Sequence, residues 1–353
     1  MTTQAFSTMQ DVLDKAVLDQ KIPGAQFALV TPEGAEVGWC GNRQIVEETL
    51  PVERDTVYDL ASCSKVVSTT TLVLKLIEEG LISLDTRLVE ILPDFGHPEI
   101  TIEQLLTHTS GLPADDKGYK KTHGEKEMWE FFKNMPLNFE PGTKVDYSDF
   151  GFIALGFVVE HFKGALDQVA EAEIFKPLQM KDTCYNPAKH GLADRCVAEE
   201  VTEARGVIKG VVHDGKGYCL DGVSGNAGVF STADDLSRFV RMLLGNGELD
   251  GVRILKPETV EMLRHSFTPN LNVSRTLGWI ADDRNQSDGT EISDSCIYHT
   301  GFSGTSIYVD FKRNMGIILL TNRVHPSRDN DAIIDIRKDV HNETLKAFDQ
   351  EAH

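Results

Sequence analysis

The chain has 353 residues, 41% of them hydrophobic and 25% charged, a composition that fits a globular protein with ample core, built as one large domain or two interleaved ones. Asp and Glu total 55 against 35 Lys and Arg, and the resulting net charge of −20 repels nucleic-acid phosphates and anionic lipid, so neither is an expected partner. No stretch reaches the roughly 18 apolar residues of a membrane span, and "MTTQAFSTMQDVLDKAVLDQKIPGAQFALV" lacks a basic segment followed by an apolar one, so a cytoplasmic location is expected.

In chain order, "FSTMQDVLDKAVLDQ" places Met9, Val12, Leu13 and Val17 on one helical face, and "AQFALVTPEGAEVGWCG" reads as two strands joined by a Pro-Glu-Gly turn. "SKVVSTTTLVLKLIEEGLI" predicts a buried helix ending at Gly80. From there to about residue 190 the signals are helical or loop-like, in "TIEQLLTHTSG", "EMWEFFKNM" and "SDFGFIALGFVVEHFKG". "STADDLSRFVRMLLGNG" has Thr232 as N-cap, Asp235 three residues on and Gly245 near its end. Strand-like runs return in "TLGWIAD", "SCIYHTG", "TSIYVDF" and "NMGIILLTN", before a last helix from about Asp331. The predicted architecture is α+β: an antiparallel sheet assembled from residues 1–80 and 191–353, flanked by helices, with an all-helical domain, 81–190, inserted and the active site in the cleft between them.

Six cysteines (Cys40, Cys63, Cys184, Cys196, Cys219, Cys296) are scattered without a C-x-x-C pair, as expected of free thiols rather than a disulfide framework or zinc site. Nothing in the sequence calls for a metal or an organic cofactor. His123, Glu125 and Glu127 form no pair of histidine ligands and read as a solvated face, within a polar stretch "YKKTHGEKE" suited to a cleft rim. Trp129, Phe131 and Phe132 read as helix core, and Cys63 as packing.

"ASCSKV", residues 61 to 66, sets Ser62 three residues before Lys65. About one S-x-x-K is expected by chance in a chain of this length, and Ser62 could simply cap a helix. On a helix, however, residues three apart share a face, so the lysine amine can reach the hydroxyl. A serine needs such a neighbouring base to become nucleophilic, and a helix N-terminus beneath it aims N–H groups at a developing oxyanion.

Two further pieces accompany it in order: Tyr147 in "PGTKVDYSDFGF" and His299-Thr300-Gly301 in "YHTGFSGTSIYVDF". With "LLTHTSGL", "GNAGVFSTADDLSRF" and "HTGFSGTSIYVDFKRNMGIILLTNR", the chain resembles the serine β-lactamase and penicillin-binding protein superfamily along nearly its whole length. The resemblance is to the branch of class C β-lactamases, DD-peptidases and family VIII esterases, whose signatures are S-x-x-K, Y-x-N and K/H-T-G. It implies Ser62 as acylated nucleophile, Lys65 as its proton acceptor, and Tyr147 as the hydroxyl that shuttles protons, its pKa lowered by Lys65 and a protonated His299. It implies an oxyanion hole of the Ser62 and Phe302 amides, and glycines at 301 and 304 that leave room for substrate along the strand. The matching segment around His108 is structural, so His108 reads as a packed turn. Trp279 is a candidate wall of the acyl pocket.

Two departures from the pattern stand out. Asp149 replaces the Asn of Y-x-N and, when ionised, can only accept hydrogen bonds, which suits an amine-bearing substrate or none at that place; alternatively it salt-bridges Lys65 or another cation. His299 replaces the class C lysine and holds a substrate carboxylate only while protonated; alternatively it is neutral and bonded to Tyr147 or Thr300. The expected activity is acyl-enzyme hydrolysis of small esters or D-amino-acid-containing peptides and amides. β-Lactamase or DD-carboxypeptidase activity is the alternative, and a silent binding protein a third.

Overall fold

The computed structural model describes residues 3–281 and 288–351. Its elements that matter for function are α1 Gln4–Leu18, β1 Gly24–Thr31, β2 Gly34–Gln44, β3 Leu50–Pro51, α2 Thr71–Glu78, α3 Asp149–Lys163, α4 Ala233–Leu244, β4 Ile280–Ala281, β5 Cys296–Thr300, β6 Ser306–Asp310, β7 Met315–Thr321 and α5 Ile333–Glu351. The strands form one antiparallel sheet in the order β4-β5-β6-β7-β1-β2-β3, so the first strand of the chain pairs with the last, Phe27 opposite Leu319.

Both central strands, β1 and β7, are buried along nearly their whole length, because each face of the sheet is covered. Alternation along the strand then sorts side chains between two layers. Phe27, Leu29, Ile317 and Leu319 meet α1 and α5 on one face, packed with Met9, Leu13, Ile336 and Val340. Ala28, Val30, Ile318 and Leu320 face the other way, toward α4, and that apolar layer continues without a break into α2, α3 and the helical middle of the chain. The antiparallel sheet with flanking helices and a helical insertion is therefore present as expected.

Four local differences from the sequence reading have physical causes. The helix expected from Ser64 begins as a 3-10 turn at Ala61–Cys63, passes through a π-helical turn at Lys65–Thr70, and is regular only in α2. The Thr71 hydroxyl donates to the Val66 carbonyl, so a side chain shares an acceptor of the widened turn, and the Thr69 hydroxyl leaves the helix for the Gly225 carbonyl. Of the run "TLGWIAD", only Ile280–Ala281 is strand, and its final Asp282 lies outside the described residues. Residues 198–222, passed over in the sequence, form a small hairpin, Ala198–Thr202 with Gly206–Lys209, and a one-turn helix Gly215–Cys219. A short strand Val229–Ser231 pairs with Tyr58–Asp59 on one side and Cys184–Tyr185 on the other, fixing the chain just ahead of Ser62. Among the described residues no helix is long and apolar enough to cross a membrane.

Candidate active site

Ser62 sits in the 3-10 turn, half-buried, directly after Ala61, whose φ of 47° is a left-handed conformation that costs a residue with a Cβ energy. Lys65 is fully buried on the same face, with Nζ 3.2 Å from Ser62 Oγ. The ammonium also donates to Asp149 Oδ1 at 2.8 Å and to the Asn226 carbonyl at 2.9 Å, so all three of its protons have acceptors. Burial disfavours the charge, but Asp149 and Tyr147 outweigh it and leave the Lys65 pKa raised. At rest, Lys65 is thus a donor to Ser62, and it becomes the expected proton acceptor only after losing a proton.

Tyr147 and Asp149 flank Ser148, the N-cap of α3, whose hydroxyl accepts from Gly151 N. Asp149 opens the helix, where a carboxylate complements the positive end of the dipole. The turn is held from beneath by His108, itself at φ 57°: its carbonyl accepts from Asp146 N, its Nδ1 from Ser148 N, and its ring lies 4.5 Å from that of Tyr147. His108 is the packed turn expected, and it is also a support for Tyr147. The Tyr147 hydroxyl is enclosed without a well-formed hydrogen bond among the described residues, and Lys65 Nζ lies 4.8 Å from the ring centroid. Burial raises the Tyr147 pKa, with Lys65 opposing.

Asp149 is the ion-pairing alternative. Its second oxygen is 3.1 Å from Lys216, which is buried beside the Tyr119 ring and also bridges to Asp115 at 2.7 Å. Burial alone would raise the Asp149 pKa; the two lysines reverse this and hold it below the ordinary value. Each oxygen thus already accepts from one lysine.

His299 closes β5 and is almost fully buried, with Nδ1 2.9 Å from the Thr300 carbonyl. Burial, then Arg275 and Lys65, push its pKa well below 6.5. The protonated, carboxylate-holding His299 is therefore corrected to a neutral ring, as is its expected contribution to lowering the Tyr147 pKa. A second cation near Tyr147 is instead Arg275, a buried guanidinium 5.7 Å from the Tyr147 ring centroid, with Nε and Nη1 lacking partners among the described residues. Burial lowers its pKa to about 10, so it stays charged at neutral pH.

The loop after Thr300 brings Phe302 to the mouth of the site, and among the described residues neither the Ser62 nor the Phe302 amide has a hydrogen-bond acceptor. The glycines beside it answer to the protein rather than to a ligand: a Cβ on Gly301 would overlap the Thr305 hydroxyl and crowd the Leu60 carbonyl at 2.6 Å, and Gly304 has a φ of 107°. Trp279 does not line the pocket. The turn at Gly278, whose φ is 80° and whose amide donates to the Leu106 carbonyl, directs the indole into the core, 1% exposed. Cys63 is buried against Thr305 and His299 and its thiol is pushed up to about 12 by burial, so it is packing.

Ser62, Asp149 and Phe302 open onto a cavity of about 1220 Å³. Its far wall is residues 200–222, with Arg205 stacked on Tyr218 at 4.1 Å, and its rim includes Tyr119, Lys120 and His123 of the polar stretch. Sequence reasoning missed Arg275, Lys216 and this wall; each acts through a neighbour distant in the chain, and no local spacing marks it. Among the described residues no group of three or more His, Cys, Asp or Glu side chains is placed to hold a metal ion.

Comparison with known proteins bears on the family and the fold. The Beta-lactamase family profile matches residues 5–341. An N-acetylmuramyl-L-alanine amidase of Bacillus subtilis is 31% identical over 318 residues, 80% of this chain and 71% of that protein. An Escherichia coli K12 protein provisionally named D-alanyl-D-alanine carboxypeptidase is 31% identical over 317 residues, 80% of this chain and 72% of its own. Among solved structures, unliganded simvastatin synthase (LovD) from Aspergillus terreus superposes with a TM-score of 0.76 at 20% identity, covering both chains completely. A penicillin-binding protein homologue from Caulobacter crescentus gives 0.75 at 18% identity, over 97% of this chain and 99% of its own. At these identities the solved structures speak to the fold.

Proposed function

This chain belongs to the Beta-lactamase family, and from that premise we propose that it is a serine hydrolase working through an acyl-enzyme on small esters or D-amino-acid-containing peptides and amides. The observation that carries the reading is Ser62 Oγ, 3.2 Å from Lys65 Nζ, opening onto a deep cavity beside the Ser62 and Phe302 amides. Lys65, in its neutral form, takes the Ser62 proton as Oγ attacks the substrate carbonyl, and the two amides receive the oxyanion. Tyr147 gives its proton to the leaving group as that bond breaks and is reprotonated by Lys65; a water then passes a proton through Tyr147 to Lys65 as it attacks the acyl carbonyl, and Lys65 returns the proton to Ser62 Oγ as the ester bond breaks. The relative named D-alanyl-D-alanine carboxypeptidase supports amide cleavage at a D-residue, and the one named N-acetylmuramyl-L-alanine amidase supports amide cleavage without the D-residue.

Asp149 disfavours the β-lactamase alternative. A β-lactam side-chain amide presents a carbonyl where the family's Asn can donate, and here a carboxylate paired with two lysines, which has no proton to donate, stands in that position. The test is intact mass over time with benzylpenicillin and with 4-nitrophenyl acetate, wild type beside Ser62→Ala. The expected result is an acetyl adduct and ester turnover in wild type, both lost in Ser62→Ala without change in melting temperature, since one hydroxyl leaves no sizeable cavity. Turnover retained by the folded variant would refute the assignment, and rapid loss of benzylpenicillin would move the reading to β-lactamase.

A further inference from the structure

We infer that Asp59 is a positioning residue that holds the two halves of the oxyanion hole together. The two amides come from segments about 240 residues apart, so their convergence needs a physical tie. Asp59 is completely buried at the end of the short strand ahead of Ser62 and is joined to both segments. Oδ1 accepts from Ala61 N at 2.8 Å, bracing the left-handed residue that precedes the nucleophile. Its carbonyl accepts from the Ser303 hydroxyl at 2.9 Å, next to Phe302. Oδ2 accepts from His213 N at 2.7 Å, and the His213 ring stacks on the Phe302 ring with centroids 5.7 Å apart and planes 15° from parallel. One residue thus grips the chain immediately before Ser62 and Phe302 from two sides.

A parallel bond reinforces this arrangement: the Thr305 hydroxyl donates to the Leu60 carbonyl at 2.9 Å. Asparagine at 59 retains an acceptor for Ala61 N but turns an amide donor toward the His213 N–H, leaving one of the two unmatched. The left-handed Ala61 relaxes once its brace weakens, and a displacement of about 1 Å at a reacting centre costs on the order of a hundredfold in rate.

The catalytic half of this inference rests on the acyl-enzyme reading; the tie itself does not, so two measurements separate them. Hydrogen–deuterium exchange of Asp59→Asn is expected to quicken not only peptides spanning 59–63 but also those spanning 301–305. Ser303→Ala, a small change in the other segment, is expected to quicken 59–63 in return. Exchange confined to the mutated segment in both variants overturns the tie. With 4-nitrophenyl acetate, both variants are expected to lose about tenfold to a hundredfold in kcat, with KM within about twofold. Unchanged kcat, or a rise in KM alone, overturns the positioning role. Turnover surviving in Ser62→Ala would fault the acyl-enzyme reading, while the exchange result still decides the tie. Ser303→Ala keeps the test decisive if Asp59→Asn fails to fold.

Discussion

At the scale of single residues, the charge state of the Lys65–Tyr147 pair sets the pH response. Lys65 has a raised pKa because Asp149 and Tyr147 outweigh its burial, and Tyr147 has one raised by burial, so both rest protonated at neutral pH. A base must lose its proton before it can accept one from Ser62, so kcat/KM for an ester is expected to climb steadily from pH 7 to 9. Asp149→Asn removes the carboxylate that favours the ammonium, and the rising limb should move down by about one to three pH units. A flat profile between pH 6 and 9 in both proteins would count against this assignment of charges. Because burial, then Arg275 and Lys65, hold the His299 pKa well below its ordinary 6.5, KM for a carboxylate substrate is expected to show no step near pH 6.5. Ser62, Lys65, Tyr147, His299 and Phe302 were legible because each lies in a short motif or next to one. Arg275, Lys216 and Asp59 were not, since a lone charge acquires its role from what the fold sets opposite it.

At the scale of elements, legibility followed periodicity. α1, the β1–β2 hairpin and α4 carry regular apolar spacing and recognisable ends, whereas the cleft wall at 198–222 is rich in Gly and has no period to read. α4 tests how far such local signals govern stability. Its N-cap, Thr232, is buried and accepts from Asp235 N at 3.2 Å, at the start of the helix that covers one face of the sheet. Thr232→Ala is expected to cost about 1 kcal/mol in urea unfolding while leaving ester turnover per folded molecule unchanged. A loss of activity without a loss of stability would show that α4 contributes to the site in some other way. The 3-10 and π-helical turns around Ser62 were invisible in sequence for the opposite reason: their spacing is close to that of an ordinary helix, and only the bonds that Thr69 makes to distant Gly225 and Thr71 to Val66 reveal the change.

At the scale of the whole molecule, the apolar layer between sheet and helices is continuous, running from Ile318 and Leu320 through Phe239 to Leu72, Phe152 and Phe132. Sheet and helical regions should therefore unfold together. Trp129 packs among the helices, Trp279 lies in the core and Trp39 is on β2, so fluorescence samples several regions. The fluorescence and far-ultraviolet circular dichroism transitions in urea are expected to coincide; two separated midpoints would show independent units. The pairing of β1 with β7 also has a consequence for biosynthesis. At roughly 5–20 residues per second, about 290 residues must be translated after β1 before its partner emerges, a delay on the order of 15–60 s. Through that interval a nascent chain carries an apolar strand paired with β2 on one edge and open on the other, and Ser62 lacks the Phe302 segment that the fold sets beside it.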